Sequence, residues 1–213
     1  MTQPAVDFNL YLITNRNGTR GRGLVPVVEE ALLGGVKAVQ LREKDLSSRD
    51  LYTTAYDLRK LTARYGARLF INDRVDIALA VDADGVHLGS ASIPVHRARR
   101  ILGREKFIGV SCHNTVSAIS AQDQEADFIT FGPVFPTPSK AAYGDPSGVE
   151  KLSAVAKMLD IPVFALGGVN RKNAPRVMAA GAHGIALISA VMAADDPREV
   201  TRSLLSILPA REE

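Results

Sequence analysis

Short apolar runs rich in β-branched and aromatic residues alternate along the whole chain with longer stretches in which apolar positions recur every three to four residues. The first pattern fits a strand buried on both faces, and the second a helix lying against it. Eight strands are predicted, at Asn9–Thr14, Ala38–Arg42, Arg68–Asn72, Gly85–Leu88, Phe107–Ser111, Phe128–Phe131, Val163–Leu166 and Gly184–Ile188. Helices are predicted near Val25–Leu33, Ser48–Tyr65, Val75–Leu79, Pro94–Leu102, Thr115–Gln124, Glu150–Leu159, Ala174–Ala180 and Pro197–Ile207. Strict βα alternation implies parallel strands, which close most simply as one α/β (β/α)8 TIM barrel; an open doubly wound sheet is the alternative. Related signals precede alternate strands, as in Gly35-Val36-Lys37-Ala38, Asp82-Ala83-Asp84-Gly85, Glu125-Ala126-Asp127-Phe128 and Gly181-Ala182-His183-Gly184. Such recurrence fits a fold built from repeated supersecondary pieces.

The chain has 213 residues, which suits one domain over 1–213, and its 46% hydrophobic content supports a sizeable core. Basic residues are scattered, and the net charge is only +3, so anionic small molecules suit it without any call for nucleic acid. The cluster Arg97, Arg99 and Arg100 reads as a solvated helix face. Cys112 is the single cysteine, which excludes an internal disulfide and fits a reducing cytoplasm. Met1–Asp7 lacks the pattern of a signal peptide, and no run approaches the length of a membrane span.

In barrels of this kind the loops after the strands carry the chemistry. Ala38, Gln40 and Arg42 share one face of the second strand by the two-residue period, with Lys44 just beyond, so an amide and two cations project toward the barrel mouth if that face points inward. The plainer reading pairs Arg42 with a carboxylate such as Glu43. Asp73, after Asn72, could hold magnesium, which takes one or two carboxylates with substrate phosphate and water. It could equally cap the helix starting near Val75. His87 either faces the lumen or packs among apolar neighbours, the more ordinary fate of a lone histidine. Gly109, Ser111 and His113 share a face, a hydroxyl and an imidazole suited to substrate contact or proton transfer, while Cys112 points to the helices. Nothing marks a nucleophilic serine. Gly132–Gly148 is a long Pro-, Ser- and Gly-rich loop of the sort that often forms a lid, and it carries Thr137, Ser139 and Lys140. Gly167-Gly168 and Ile188-Ser189 end the last two strands, where barrels commonly hold phosphate.

Together, from about Leu10 to Ser189, these segments resemble thiamine phosphate synthase and its relative thiazole tautomerase. The resemblance rests on Gln40-Leu41-Arg42-Glu43-Lys44, Asn72-Asp73, Gly109-Val110-Ser111-Cys112-His113, Gly132-Pro133-Val134-Phe135-Pro136-Thr137 and Gly167-Gly168, in that order. It implies a transferase that joins hydroxymethylpyrimidine diphosphate to a thiazole phosphate through a pyrimidine carbocation, releasing diphosphate with Mg2+ present. By the same resemblance the pyrimidine diphosphate is held by the Gln40, Leu41, Arg42, Glu43 and Lys44 segment with Asn72, Ser111 and Lys140. The thiazole phosphate falls to Thr137, Pro138, Ser139, Gly168, Ile188 and Ser189. Asp73 is the implied metal ligand, and Arg42, Lys140 and His113 are the implied catalytic groups. Relatives are often homodimers. One departure stands out: Ser90-Ala91-Ser92 follows Gly89, so Ser92 takes the place of a second metal-binding aspartate. Arg74, where the synthase often has an acid, is a second departure. Both changes resemble the tautomerase, in which a histidine matching His113 shuttles the proton, so a synthase, a tautomerase and a non-catalytic phosphate-ligand binder stand as the expected functions in that order.

Overall fold

The computed structural model describes residues 5–137 and 145–209. Eight parallel strands, β1 (Leu10–Ile13), β2 (Ala38–Leu41), β3 (Arg68–Asn72), β4 (Gly85–Leu88), β5 (Phe107–Cys112), β6 (Phe128–Phe131), β7 (Val163–Leu166) and β8 (Gly184–Leu187), close into a barrel in chain order. Pairing of β8 with β1, Ala186 beside Tyr11, excludes the open sheet. Helices α1 (Leu24–Leu33), α2 (Ser48–Arg64), α3 (Val75–Ala80), α4 (Val95–Leu102), α5 (Thr115–Asp123), α6 (Gly148–Met158), α7 (Ala174–Ala179) and α9 (Pro197–Leu205) follow the strands. Predicted and observed ends differ by no more than about two residues, the ordinary uncertainty of fraying ends. Two further pieces were not expected, a 3-10 turn at Arg16–Gly18 and the short helix α8 (Ser189–Met192). Four residues are too few to show an amphipathic period.

Side-chain alternation gives the barrel two cores. Outward residues such as Leu12, Val39, Leu69, Val86 and Ile129 pack under the helices in one cluster. Inward residues build a second around Tyr11, Phe70, Phe107, Phe128 and Phe164, which Phe8 plugs from below. Phe8 lies 5.2 Å from Phe164 and 5.7 Å from Phe70 and Phe128, ring to ring. Each large ring faces a small neighbour on the adjacent strand: Phe107 beside Gly85, Phe128 beside Gly109 and Phe164 beside Gly184. A Cβ on Gly109 would lie 2.4 Å from the Phe128 ring, so the glycine makes room for the aromatic plug.

The basic helix α4 departs from expectation at one residue. Arg97 and Arg100 are exposed, but Arg99 is buried beneath the barrel. Its guanidinium donates to Asp127 Oδ2 at 2.6 Å and to the carbonyls of Gly103, Lys106 and Glu125. Asp127 also accepts from Ile108 N, so the pair ties α4 to the entries of β5 and β6. Breaking a buried pair strands the surviving charge. Asp127→Ala is therefore expected to cost about 3–5 kcal/mol in urea unfolding; a loss under about 1 kcal/mol would show the pair to be dispensable.

Candidate active site

Above the aromatic plug the lumen turns polar. Inward positions one step further along the strands are Gln40, His87, Ser111 and Thr130, and they meet across the barrel axis. Gln40 Nε2 donates to Tyr11 Oη at 3.1 Å, and Tyr11 Oη lies 3.4 Å from His87 Nδ1. On the other side His87 Nε2 lies 3.0 Å from Ser111 Oγ and 3.4 Å from Thr130 Oγ1, which also donates to Ser111 Oγ at 3.4 Å. His87 thus faces the lumen as a hydrogen-bonded member of this layer, contrary to the expectation of a quiet packing role. It is 1% exposed, and burial holds its pKa down to about 3, with Asp73 pulling upward and Arg42 downward as lesser influences. The imidazole is neutral across the working pH range. Burial also raises the Tyr11 phenol well above its usual range, against the opposing Gln40 amide.

On the rim over β2 and β3, Arg42 is half-buried, and Lys44 is exposed. Glu43 does not neutralise Arg42. It turns inward, 6% exposed, where it accepts from Thr14 Oγ1 at 2.7 Å and from Arg16 N at 3.0 Å, and its other oxygen lies 3.5 Å from the Arg16 guanidinium. Thr14 Oγ1 in turn accepts from Arg42 N at 2.9 Å. The Thr14, Arg16 and Glu43 group therefore braces the segment's backbone and leaves Arg42 unneutralised by Glu43. Leu41 packs outward with the helices, so only its backbone is placed for ligand contact.

Asp73 does not cap α3, whose N-cap is Arg74 and which has no side-chain cap bond. A left-handed φ of 62° turns Asp73 instead into a small polar cluster. Its carboxylate accepts from Asn72 Nδ2 at 2.7 Å and from Ser92 Oγ, and Lys44 Nζ lies 3.9 Å away. Asp73 and Ser92 are thus brought together. Arg74 is drawn off to Asp76 and Ser48. Among the described residues no group of three or more His, Cys, Asp or Glu side chains gathers as a ready-made metal site.

Across the mouth lies a cavity lined by His113, Gly132, Thr137, Gly167, Gly168, Ile188 and Ser189. Gly167 and Gly168 both have left-handed φ, 93° and 66°. A Cβ on Gly168 would sit 2.6 Å from Pro136 O, and one on Gly167 2.6 Å from the Pro133 ring. Only glycine meets both demands, and both residues line the cavity with backbone alone. The start of α8, at Ile188 and Ser189, forms the facing wall. His113 donates from Nδ1 to Gly132 O and lines the cavity, which leaves its other ring nitrogen, Nε2, for contact there. Pro138, Ser139 and Lys140 lie outside the described residues.

Three residues of this architecture escaped the sequence reading. Tyr11, Thr14 and Thr130 sit in or beside β-rich runs and looked like ordinary strand positions. Parity along β1 and β6 could have placed Tyr11 and Thr130 in the lumen, but their partners are 76 and 43 residues away from them along the chain.

An eight-stranded barrel whose mouth sets the Arg42 and Lys44 cations and the Asp73 carboxylate opposite a glycine-walled cavity has the form of a barrel enzyme with its site at the carboxyl ends of the strands. Comparison with known proteins narrows the class. The chain belongs to the thiamine monophosphate synthase family, whose model matches residues 10–191. A relative from Geobacter sulfurreducens is 60% identical over 206 residues, 97% of each chain. The thiamine-phosphate synthase of Chloroflexus aurantiacus is 46% identical over 208 residues, 98% of this chain and 96% of that one. A solved structure described as thiamine phosphate pyrophosphorylase from Pyrococcus furiosus superposes with a TM-score of 0.87 at 41% identity, covering 94% of this chain and 95% of that one.

Cys112 stands apart from this site. It packs among the outer apolar residues, bonded to Ser117 O at 3.4 Å, and burial pushes its thiol up to about 11. Against an ordinary thiol pKa of about 8.5, that leaves over a hundredfold less thiolate at pH 8. A thiol reagent is expected to leave the native protein unlabelled and to modify it promptly in denaturant; rapid native labelling would contradict this burial.

Proposed function

We propose that this protein is a thiamine-phosphate synthase that joins hydroxymethylpyrimidine diphosphate to thiazole phosphate and releases diphosphate. The observation that carries the reading is the division of the mouth into two halves, a rim with the Arg42 and Lys44 cations and a cavity walled by Gly167 and Gly168, each suited to an anion. One reaction with two phosphorylated substrates needs both. In this reading the pyrimidine ring sits on Gln40 and Ser111, and Asn72, Arg42, Lys44 and Lys140 hold its diphosphate. Gly168, Ile188, Ser189, Thr137 and Ser139 take the thiazole phosphate.

The bond from the pyrimidine methylene carbon to the diphosphate oxygen breaks, and the electron pair leaves with diphosphate. The thiazole nitrogen then shares its lone pair with that carbon, forming the new C–N bond. Arg42 and Lys44 ease departure because they neutralise charge that grows on the diphosphate as the bond breaks. The neutral His87 layer and the aromatic plug beneath put no charged nucleophile under the reacting carbon.

Magnesium fits this site in a restricted way. Asp73 offers the one carboxylate, and Ser92 a neutral hydroxyl already bonded to it. Magnesium commonly binds through one or two carboxylates with phosphate oxygens and water completing the shell, so Asp73 and Ser92 would hold it together with the substrate diphosphate. When bound, the ion adds positive charge to the departing group.

A second reading, a thiazole phosphate tautomerase, is favoured by His113, whose Nε2 is held ready on the wall of the thiazole cavity. A non-catalytic ligand binder would retain the same pockets. Cytoplasmic location is part of the proposal, supported by the free buried thiol of Cys112, and so is a homodimer, which sedimentation would read directly.

With both substrates and Mg2+, the purified protein is expected to form thiamine phosphate and diphosphate in equal amounts. No product, where a control synthase works, would overturn the synthase; tautomer interconversion abolished by His113→Ala but not by Lys44→Ala would then establish the second reading. Arg42→Ala is expected to lower kcat roughly a hundredfold or more, the usual loss when a charge-stabilising donor is removed. Ser92→Asp is expected to lower the Mg2+ concentration giving half-maximal rate, and Asp73→Asn to raise it. Unchanged Mg2+ dependence in both variants would remove these residues from the metal's surroundings.

A further inference from the structure

The polar layer across the lumen has a direction, and that direction is set by groups that lie beneath the substrate-facing residues. Gln40 Nε2 donates to Tyr11 Oη, which leaves the phenol hydrogen for His87 Nδ1. An imidazole that accepts at Nδ1 carries its hydrogen on Nε2. Nε2 faces Ser111 Oγ at 3.0 Å and Thr130 Oγ1 at 3.4 Å, so Ser111 accepts the shorter bond, and it accepts again from Thr130. With both lone pairs engaged, the Ser111 hydrogen is free to donate toward the mouth. The other end of the layer is the complement, because Gln40, having turned its NH2 toward Tyr11, keeps its carbonyl Oε1 as an acceptor. Tyr11 and His87 are buried to within 1% of full exclusion, so water does not substitute for either partner.

We propose that Tyr11 and His87 are positioning residues that lock His87 as the Nε2–H tautomer and thereby present Ser111 as a hydrogen-bond donor and Gln40 as an acceptor to the bound heteroaromatic ring. The specificity that follows is for a ring edge with an N–H donor beside a bare ring nitrogen, as an aminopyrimidine has. The inference rests on the synthase reading for the identity of that ring, while the tautomer itself is a property of the free protein. Neither residue touches the substrate in this account; both act through Ser111 and Gln40.

Two measurements test it. Long-range 15N–1H correlation of the free protein, with the His87 signals identified by their loss in His87→Gln, is expected to place the single ring proton on Nε2. A proton on Nδ1, or on both nitrogens, would overturn the inference whatever the enzyme does. The second is a double-mutant cycle on calorimetric affinity for hydroxymethylpyrimidine diphosphate. Tyr11→Phe, which removes one oxygen and leaves the ring packing, is expected to weaken binding about tenfold, the scale of one hydrogen bond. In a Ser111→Ala background it should weaken binding by about twofold or less, because the group it acts through is gone. Equal losses in both backgrounds, or none in either, would show Tyr11 to be structural only. Failure of the unmodified protein to bind this ligand would count against the synthase reading, with the tautomer then deciding the inference alone.

Discussion

Filling the barrel lumen is the constraint on which the rest of this molecule depends. Eight strands close around a space that side chains must occupy, and each polar atom placed there must find a partner or carry the cost of lost hydration. This chain meets the first demand with aromatic rings set against glycines and the second with a hydrogen-bonded layer above them. The plug gives the layer a rigid, dry floor. The layer gives the mouth a fixed set of donors and acceptors, which is the preorganisation that charge-separating chemistry requires.

Above that floor the mouth divides its work by composition. The β2 and β3 loops supply the Arg42 and Lys44 cations and the Asp73 carboxylate, and the β7 and β8 loops supply bare backbone. Glu43 shows how the division is kept, since its charge is turned inward to Thr14 and Arg16 and so leaves Arg42 to an incoming anion. Ser92 is the place where the chain departs from its family resemblance. Its hydroxyl donates to Asp73 and so orients the carboxylate while adding no charge of its own, so a metal held there would take more of its coordination from a phosphorylated ligand and water.

Much of this architecture was legible before the structure. Strands buried on both faces stand out as short apolar runs, and two-residue parity is enough to bring Gln40 and Ser111 to one side of their strands. What escaped has a common cause, since it depends on register between strands far apart in sequence. His87 reads as a lone histidine in an apolar run, and only closure of the barrel brings Tyr11 and Ser111 to its two nitrogens. Arg99 reads as one of three surface arginines until Asp127 arrives from the next βα unit. Asp73 looks like a cap because its neighbour Val75 begins a helix, whereas its left-handed backbone turns it toward Ser92. Helix α8 is too short to announce itself, although its start forms one wall of the glycine-walled cavity.

A synthase of this design requires two different phosphorylated ligands in the two halves of one barrel mouth. Backbone amide shifts recorded while thiazole phosphate and Mg2+ with inorganic diphosphate are titrated separately test it most directly. Thiazole phosphate should move the amides of Gly168, Ile188 and Ser189, and diphosphate those of Arg42, Lys44 and Asp73, with each half responding to its own ligand. Both ligands moving the same set, or neither moving the glycine-walled half, would contradict it.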